Sequence, residues 1–224
     1  MLVETPEPIV KTGFIVKNLG VADYAFTLNA MRDFTDTRCA TTSDELWLVQ
    51  HPAVFTMGQA AKPEHLLAIG DTPVVQTERG GQVTYHGPGQ VIAYVLFDLQ
   101  RARLTVKGLV CKLEQAAIDT LADFDIASER QSGKPGVYLT QSAGGAKIAA
   151  LGLKIKKGRC FHGLAINTAM DLAPFSQINP CGYPNMTVTD VARASRHSGS
   201  SQDLIAALTA RLAHHLQEQL HPAS

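Results

Sequence analysis

The sequence predicts an α+β fold, a mixed β-sheet backed by helices, and two observations support this prediction. Apolar residues recur at helical spacing around residues 21–34 and 106–124 and again after residue 200. Between these segments lie short β-branched or apolar runs, each bounded by glycine, proline or asparagine. Because the strands are bunched between the helices, a mixed sheet is favoured over a regular βαβ alternation.

The three predicted helices carry apolar residues three or four positions apart along one face. These are Val21, Tyr24, Ala25, Leu28 and Met31 in the first helix, Leu109, Leu113, Ala116, Ala117, Leu121 and Phe124 in the second, and Leu204, Leu208, Leu212, Leu216 and Leu220 in the third. Thr105 is a candidate N-cap of the second helix, because its hydroxyl can accept a hydrogen bond from a free backbone N–H. The predicted strands span residues 46–50, 74–77, 90–99, 136–139, 147–155 and 160–167.

Length and composition are typical of a globular protein. The 224 residues are expected to form one domain over 1–224, since domains average about 150 residues and no stretch has the composition of a linker. An apolar fraction of 45% and a charged fraction of 18% argue against disorder. Twenty basic and twenty acidic residues cancel, which argues against the global positive field of a general nucleic-acid binder.

The chain is expected to be cytoplasmic and not to associate with membranes. Its first residues, MLVETPEPIV, are acidic and contain proline, unlike a secretory signal. The longest apolar run, Val91 to Phe97, is far shorter than the roughly 20 residues that span a bilayer. The four cysteines form no CxxC pair and are expected to be reduced thiols.

One segment, Arg79 to Gln90, reads RGGQVTYHGPGQ and has four glycines in twelve residues. Glycine is costly inside a sheet unless the backbone must approach another group closely. Since Arg79 and His86 flank the glycines, a strand and turn lining a ligand are expected, with a plain glycine-rich hairpin as the alternative. The segment is neither a GxGxxG dinucleotide loop nor a P-loop.

Lys147 lies among small apolar residues, in the sequence GGAKIAALGLK. Burial in such surroundings can lower the pKa of an amine through loss of hydration. The small side chains that follow Lys147 would leave room for a narrow apolar ligand beside the strand. The alternative is an ordinary strand lysine that points into solvent.

Cys181 lies in the sequence NPCGYP, where proline and glycine predict a tight turn that would present its sulfur at a surface or cleft. A single cysteine is more often a small buried apolar residue, which is the alternative. A zinc site formed by Cys160, His162, His86 and Cys181 is a weaker alternative, because no two of these residues have the usual ligand spacing.

Residues 147–159 also form a predicted basic patch. Five cations and no carboxylate occur there, at Lys147, Lys154, Lys156, Lys157 and Arg159. Such a patch can dock an acidic partner. The alternative is a solvated strand edge that lysines protect from pairing.

Taken together, these segments resemble the lipoyl(octanoyl) transferases, members of the biotin/lipoate protein ligase-like superfamily. The resemblance covers most of the chain, and RGGQVTYHGPGQ and the PCG turn are specific to that family. The matching motifs, in the family's order, are DELWLVQHPAVFTMGQ, KPEHLL, RGGQVTYHGPGQ, GKPGVY, AKIAALGLKI, FHGLAINT and NPCGYP.

The resemblance implies a biotin/lipoate ligase-like catalytic fold and roles for individual residues. Cys181 would be the nucleophile that carries the acyl group as a thioester, and Lys147 would lower its pKa. The implied substrate-binding residues are Arg79, Gly80, Gly81, Gln82, Val83, Thr84, Tyr85, His86, Ala150, Leu151, Gly152, Gly163, Leu164 and Ala165.

The activity implied is transfer of an octanoyl group from octanoyl-acyl carrier protein to a lysine of lipoyl domains, as the first step of protein lipoylation. The expected acceptors are lipoyl domains of 2-oxoacid dehydrogenases and the glycine cleavage H protein; no ATP or metal cofactor is expected. The main alternative is an ATP-dependent lipoate or biotin ligase, although His86-Gly87-Pro88 and the PCG turn favour the transferase. A non-catalytic acyl-binding module and a cysteine hydrolase are further alternatives.

Overall fold

The computed structural model describes residues 9–11, 14–184, 186–195 and 200–217, with only the backbone described for residues 9–11 and for Cys181. The strands are β1 (Ile9–Lys11), β2 (Phe14–Val21), β3 (Asp44–Gln50), β4 (Val54–Met57), β5 (Val74–Gln76), β6 (Val83–His86), β7 (Gln90–Asp98), β8 (Ser128–Gln131), β9 (Lys134–Leu139), β10 (Lys147–Lys156) and β11 (Arg159–Asn167). The α-helices are α1 (Tyr24–Thr37), α2 (Val106–Ala122), α3 (Val191–Ala194) and α4 (Ser201–Gln217).

The strands form two sheets. Eight of them form the large sheet in the order β1-β2-β3-β7-β11-β10-β9-β8, and three form a small sheet in the order β5-β4-β6. Within the large sheet β2 and β3 are parallel, whereas the other neighbouring strands are antiparallel. The predicted mixed sheet backed by helices is therefore confirmed.

The central strand β7 is buried on both faces, which explains its unbroken apolar run. Val91, Ala93, Val95 and Phe97 belong to the core shared with α2 and α4. The alternate residues Ile92, Tyr94 and Leu96 belong to a second core that α1 covers. The second face of the sheet is the one that also forms the candidate site.

Helix starts follow local capping. The Asp23 side chain accepts a hydrogen bond from the Phe26 N–H at 2.8 Å, and the predicted cap Thr105 accepts one from the Gly108 N–H at 3.0 Å. Val21 was expected in the first helix but is the last residue of β2, with 70% of its surface exposed. Val21 has helical spacing relative to Tyr24 and Ala25, so the predicted helix began too early, before the N-cap at Asp23.

Strand β6 lies in the segment Arg79–Gln90, where a strand and turn were expected. Strands β1, β2, β4 and β8 were not predicted as strands. They are short, or they carry polar and glycine residues whose pairing depends on partners far along the chain. The predictions for residues 1–8 and for Leu220 concern positions outside the described residues. None of the helices in the described residues combines the length and the hydrophobicity that a membrane span requires.

Candidate active site

A narrow pocket lies between the large sheet and the segment that contains β6. Its cavity volume is about 50 Å³. Most of its lining comes from three segments that the resemblance implied, residues 79–86, 150–152 and 163–165, and further residues come from α1, β7 and His162. The lining residues are Tyr24, Arg79, Gly81, Gln82, Val83, Thr84, His86, Ile92, Tyr94, Ala150, Leu151, Gly152, His162, Gly163, Leu164 and Ala165.

Gly80 and Tyr85 were predicted to bind substrate but do not line this pocket. The Gly80 N–H donates to the Leu153 carbonyl at 2.8 Å, so this residue ties the glycine-rich loop to β10. The Tyr85 ring packs 5.3 Å from the ring of Phe55 and 5.5 Å from that of Phe175, in a separate apolar cluster. Alternation along β6 turns Tyr85 towards this cluster and its neighbours Thr84 and His86 towards the pocket.

Tyr24, Ile92, Tyr94 and His162 line the pocket but were not predicted as binding residues. Ile92 and Tyr94 alternate along β7 with Val91, Ala93 and Val95, which face the opposite core, so period-two spacing could have found them once the pocket face was known. His162 lies in the FHGLAINT motif, one position before the predicted Gly163. Only the packing of α1 onto the sheet brings Tyr24 to the pocket.

The pocket wall needs glycine because backbones meet there. A Cβ atom at Gly163 would lie 2.0 Å from the Ala93 carbonyl oxygen on β7. One at Gly152 would lie 3.0 Å from the Gly80 carbonyl oxygen. The small residues at these positions therefore permit the close approach of strand and loop.

Arg79 organises the glycine-rich loop. Its side chain is buried and donates hydrogen bonds to the carbonyls of Thr56 at 2.6 Å, Gln82 at 2.8 Å and Gly80 at 3.0 Å. These bonds hold the segment that forms one side of the pocket. A guanidinium fixed by main-chain oxygens suits a structural clamp better than a mobile charge.

Two buried histidines line the pocket in the neutral form. Burial, reinforced by His51 and Arg79 nearby, lowers the pKa of His86 to about 3. Burial likewise lowers the pKa of His162 to about 3. His86 donates from Nδ1 to Oε1 of Gln90 at 2.6 Å, which leaves its Nε2 as an acceptor. Among the described residues, Nε2 of His162 is buried and has no hydrogen-bond partner.

Lys147 is 4% exposed at the start of β10, so the solvent-facing alternative is wrong. Its Nζ donates to the Pro135 carbonyl at 2.9 Å and lies 5.1 Å from the centre of the Tyr138 ring. Its main chain pairs with the segment that follows the Cys181 turn. The Lys147 N–H donates to the Thr187 carbonyl, and the Thr189 N–H donates to the Lys147 carbonyl, both at 2.9 Å.

The predicted tight turn is present as a single 3-10 turn, Pro180–Gly182. The Gly182 N–H donates to the Asn179 carbonyl at 2.9 Å. Gly182 has a φ of +75°, and a Cβ atom there would lie 3.2 Å from Cδ of Gln82. The backbone of this turn therefore lies against the pocket, whereas the predicted nucleophile, the Cys181 side chain, is outside the described atoms.

The zinc alternative has no support in the described residues. No group of three or more His, Cys, Asp or Glu side chains in that part of the chain is arranged to hold a metal ion. Cys160 faces the core shared with α2 and α4, where burial raises the pKa of its thiol, whereas His162 lines the pocket. The described thiols of Cys39, Cys111 and Cys160 are free.

The basic patch is smaller than the sequence predicted. Lys147 is buried, and two other cations have carboxylate partners from distant segments. Lys156 pairs with Asp36 at 2.6 Å, and Nε of Arg159 lies 3.9 Å from Oδ2 of Asp98. The count of charges along the sequence missed these carboxylates because folding brings them to the patch from α1 and β7.

Curated proteins similar to this chain are octanoyltransferases. The chain is 59% identical over 174 residues to that of Saccharophagus degradans (strain 2-40 / ATCC 43961 / DSM 17024), covering 78% of this chain and 79% of the relative. It is 55% identical over 192 residues to that of Xanthomonas campestris pv. campestris (strain 8004), covering 86% and 81%. The predicted resemblance to the lipoyl(octanoyl) transferases is confirmed.

Solved structures with a similar fold are lipoate protein ligases. A lipoate-protein ligase A bound with ATP matches with a TM-score of 0.70 at 13% identity, covering 90% of this chain and 85% of that one. A bi-partite lipoate protein ligase studied with its E2 lipoyl domain, from Thermoplasma acidophilum, matches with a TM-score of 0.67 at 14% identity, covering 90% and 83%. Identities this low establish the fold alone.

The family comparison covers the whole candidate site. Residues 23–213 match the family described as the lipoyl protein ligase A/B catalytic domain. This range includes the pocket segments, Lys147 and the Pro180–Gly182 turn. The chain therefore belongs to the lipoyl protein ligase A/B catalytic-domain family.

Proposed function

We propose that this chain is an acyltransferase that moves an octanoyl group from octanoyl-acyl carrier protein to a lysine of lipoyl domains. The high identity to octanoyltransferases supports this activity over that of an ATP-dependent ligase. One structural observation carries the proposal. The turn around Cys181 lies against pocket residue Gln82, and the chain that returns from it pairs with Lys147.

In the proposed mechanism, Cys181 is the nucleophile and Lys147 is its partner. A free thiol has a pKa of about 8.5, so few such thiols are ionised at neutral pH, and a nearby ammonium increases the thiolate fraction. Lys147 is shielded from water, which strengthens any charge interaction that it makes. The thiolate of Cys181 and the ammonium of Lys147 would then form the resting state.

The first half-reaction forms a thioester on Cys181. The thiolate attacks the acyl carbon, a new carbon–sulfur bond forms, and the bond to the sulfur of the carrier breaks. Lys147 gives its proton to the departing sulfur and becomes a neutral amine. One thioester replaces another of nearly equal energy, so this step requires neither ATP nor a metal.

The second half-reaction forms an amide on the acceptor. The acceptor lysine, neutral after losing a proton to solvent, attacks the thioester, and its carbon–nitrogen bond forms as the bond to Cys181 breaks. Lys147 takes the second proton from this nitrogen and returns to the ammonium, while Cys181 leaves as a thiolate. The stable amide drives the cycle forward.

The pocket supports an aliphatic acyl group as the ligand. Its walls are mainly small or apolar, from Ala150, Leu151 and Gly152 on β10 and Leu164 and Ala165 on β11. A narrow apolar slot favours a linear carbon chain through burial from water.

We also propose that residues 1–224 act as one catalytic domain in the cytoplasm, with lipoyl domains of 2-oxoacid dehydrogenases and the glycine cleavage H protein as acceptors.

Intact mass spectrometry tests the proposal. Cys39 and Cys111 are exposed thiols, and hydrogen bonds with Thr41 and Thr42 lower the pKa of Cys39 to about 6, so both are first changed to serine. In this background, octanoyl-acyl carrier protein should add one octanoyl group, and a lipoyl domain should remove it. Free octanoate with ATP should add nothing.

The matched variants are Cys181→Ala and Cys160→Ala in the same background. We expect the adduct to disappear in the first and to persist in the second. An octanoyl adduct that persists in Cys181→Ala would contradict the proposed nucleophile. Transfer from free octanoate and ATP without carrier protein would favour the ligase activity instead.

A further inference from the structure

The peptide group between Pro135 and Gly136 lies between the side chains of Lys147 and Glu114. Its carbonyl, from Pro135, accepts a hydrogen bond from Nζ of Lys147 at 2.9 Å. Its N–H, from Gly136, donates to Oε1 of Glu114 at 2.9 Å. One peptide unit therefore joins the amine to a carboxylate on α2.

Glu114 is unusual for its position on that helix. It is 5% exposed and lies beside the core residue Leu113. A carboxylate in such a place is costly unless it is paired and hydrogen-bonded. Its second oxygen, Oε2, accepts from Nε of Arg130 at 3.1 Å, so both carboxylate oxygens have partners. Arg130 is itself anchored to the Cys111 carbonyl at 2.7 Å.

At Gly136 the backbone adopts a conformation, and lies so close to Lys147, that only glycine fits without strain. Gly136 has a φ of +121°, and a Cβ atom there would lie 2.8 Å from Cε of Lys147 and 2.6 Å from the Ala149 carbonyl oxygen. The pairing between β9 and β10 also shifts register between Lys147 and Ala149. At this irregularity the Gly136 N–H donates to the Glu114 side chain.

We propose that Glu114 is a positioning residue for Lys147, an inference that rests on the function proposed above. Glu114 orients the Pro135–Gly136 peptide so that its carbonyl faces the amine, and the carboxylate polarises that peptide. Both effects favour the ammonium form of Lys147, because a peptide dipole aligned between a carboxylate and an ammonium stabilises both charges. Glu114 touches neither substrate nor the reacting atoms.

Other charged and titratable groups near this peptide come from neighbouring elements. Those on the β8–β9 hairpin that contains this peptide are Arg130 and Glu129 on β8 and Lys134 and Tyr138 on β9. Nζ of Lys134 lies 5.2 Å from the centre of the Tyr183 ring. On α4, Arg211 pairs with Asp123, the residue that follows α2, and His215 pairs with Asp119 in the last turn of α2.

The test measures single-turnover acylation by octanoyl-acyl carrier protein against pH, in the Cys39→Ser, Cys111→Ser background. Lys147 gives a proton to the departing sulfur, so acylation should decline at alkaline pH as the ammonium is lost. Glu114→Gln keeps an oxygen that can accept from Gly136 but removes the charge. In Glu114→Gln, we expect the acylation rate to begin its alkaline decline about one pH unit lower than in the parent protein. At pH values above that point, the rate should therefore be about tenfold lower than in the parent.

Two further variants decide between a specific and a structural role. Arg130→Gln removes a cation beside the carboxylate and should move the alkaline decline to higher pH. Glu129→Gln removes a carboxylate from the same hairpin but leaves Gly136 and its acceptor in place, and should not move it. A merely structural role for Glu114 would lower protein yield or melting temperature without opposite shifts in these profiles.

A Glu114→Gln profile that coincides with that of Glu129→Gln overturns the inference. If Glu114→Gln does not fold, the pH profile of Arg130→Gln is the test. An alkaline decline at the same pH in Arg130→Gln as in the parent protein overturns the inference. The parent protein separates this inference from the proposed function. Absence of an octanoyl adduct on Cys181 in the parent refutes the function, whereas an adduct with unshifted profiles refutes only the role of Glu114.

Discussion

Gln90 and Asn167 face each other across β7 and β11, and Nε2 of Gln90 donates to Oδ1 of Asn167 at 2.8 Å. The same Gln90 accepts from Nδ1 of His86 at 2.6 Å, and Nδ2 of Asn167 donates to the Thr189 carbonyl at 2.9 Å. A continuous line of hydrogen bonds thus connects a pocket histidine to the segment that pairs with Lys147. It also determines which nitrogen of His86 carries the proton.

Gln90→Leu should therefore weaken both the fold and the activity. The change leaves the Nδ1–H of His86 and Oδ1 of Asn167 without these partners, at about 1–3 kcal/mol for each buried group. Urea unfolding at pH 7 measures the stability, and single-turnover acylation of folded protein measures the activity. Gln131→Leu, on β8, is the control. Equal stability in the two variants would contradict the network.

Gly136→Ala should reduce acylation strongly. The new Cβ atom would displace the Lys147 side chain and the Ala149 carbonyl, since both lie within 3 Å of its ideal position. Gly133→Ala is the matched control, because Gly133 has a φ of +73° on the same hairpin but nothing lies within 4 Å of a Cβ atom there. Both variants should lose about 1–2 kcal/mol of stability from the left-handed backbone. Equal acylation rates in the two would exclude a role for the close approach at Gly136.

Ala150→Leu should select against longer acyl groups. Ala150 and Ala165 are a directly paired position on β10 and β11, and both line the pocket. Added volume there should lower the acylation rate with an octanoyl thioester by about 10–200-fold, the effect of one misfitting methylene in an apolar site. A butanoyl thioester should be affected less. Ala206→Leu, on the exposed face of α4, should change neither rate, and parallel losses with both thioesters would contradict a narrow acyl slot.

Acid should destabilise the protein through its buried histidines. His86 and His162 have pKa values near 3 in the folded chain, against about 6.5 when unfolded, so the unfolded chain binds more protons below pH 6.5. The stability is present above pH 6.5 and falls as the pH drops towards 3, by about 1.4 kcal/mol per pH unit for each histidine.

Urea unfolding at pH 7 and pH 5 measures this loss. His162→Gln should show a smaller drop in the free energy of unfolding between the two pH values than the parent protein. Gln131→Leu, which changes no titratable group, should show the same drop as the parent. A drop that is identical in all three proteins would mean that His162 is not buried in its neutral form.

Local sequence patterns and motifs were enough to predict the fold class, the family and most of the segments that line the pocket. Helical and strand periodicity depend on local side-chain order, so α2, α4 and β7 were predicted close to their observed limits. The motif RGGQVTYHGPGQ was informative for a physical reason. Glycine is required where backbones must meet, and within this motif a Cβ atom at Gly89 would lie 2.0 Å from the Ala169 carbonyl oxygen.

Long-range packing, in contrast, sets which side chains face the pocket and which charges are neutralised. Tyr24 reaches the pocket because α1 folds over the sheet, and Tyr85 leaves it because strand alternation turns its ring to Phe55 and Phe175. The link from Lys147 through one peptide to Glu114 joins residues 33 positions apart. Such contacts depend on sheet order and helix packing, which local sequence patterns do not encode.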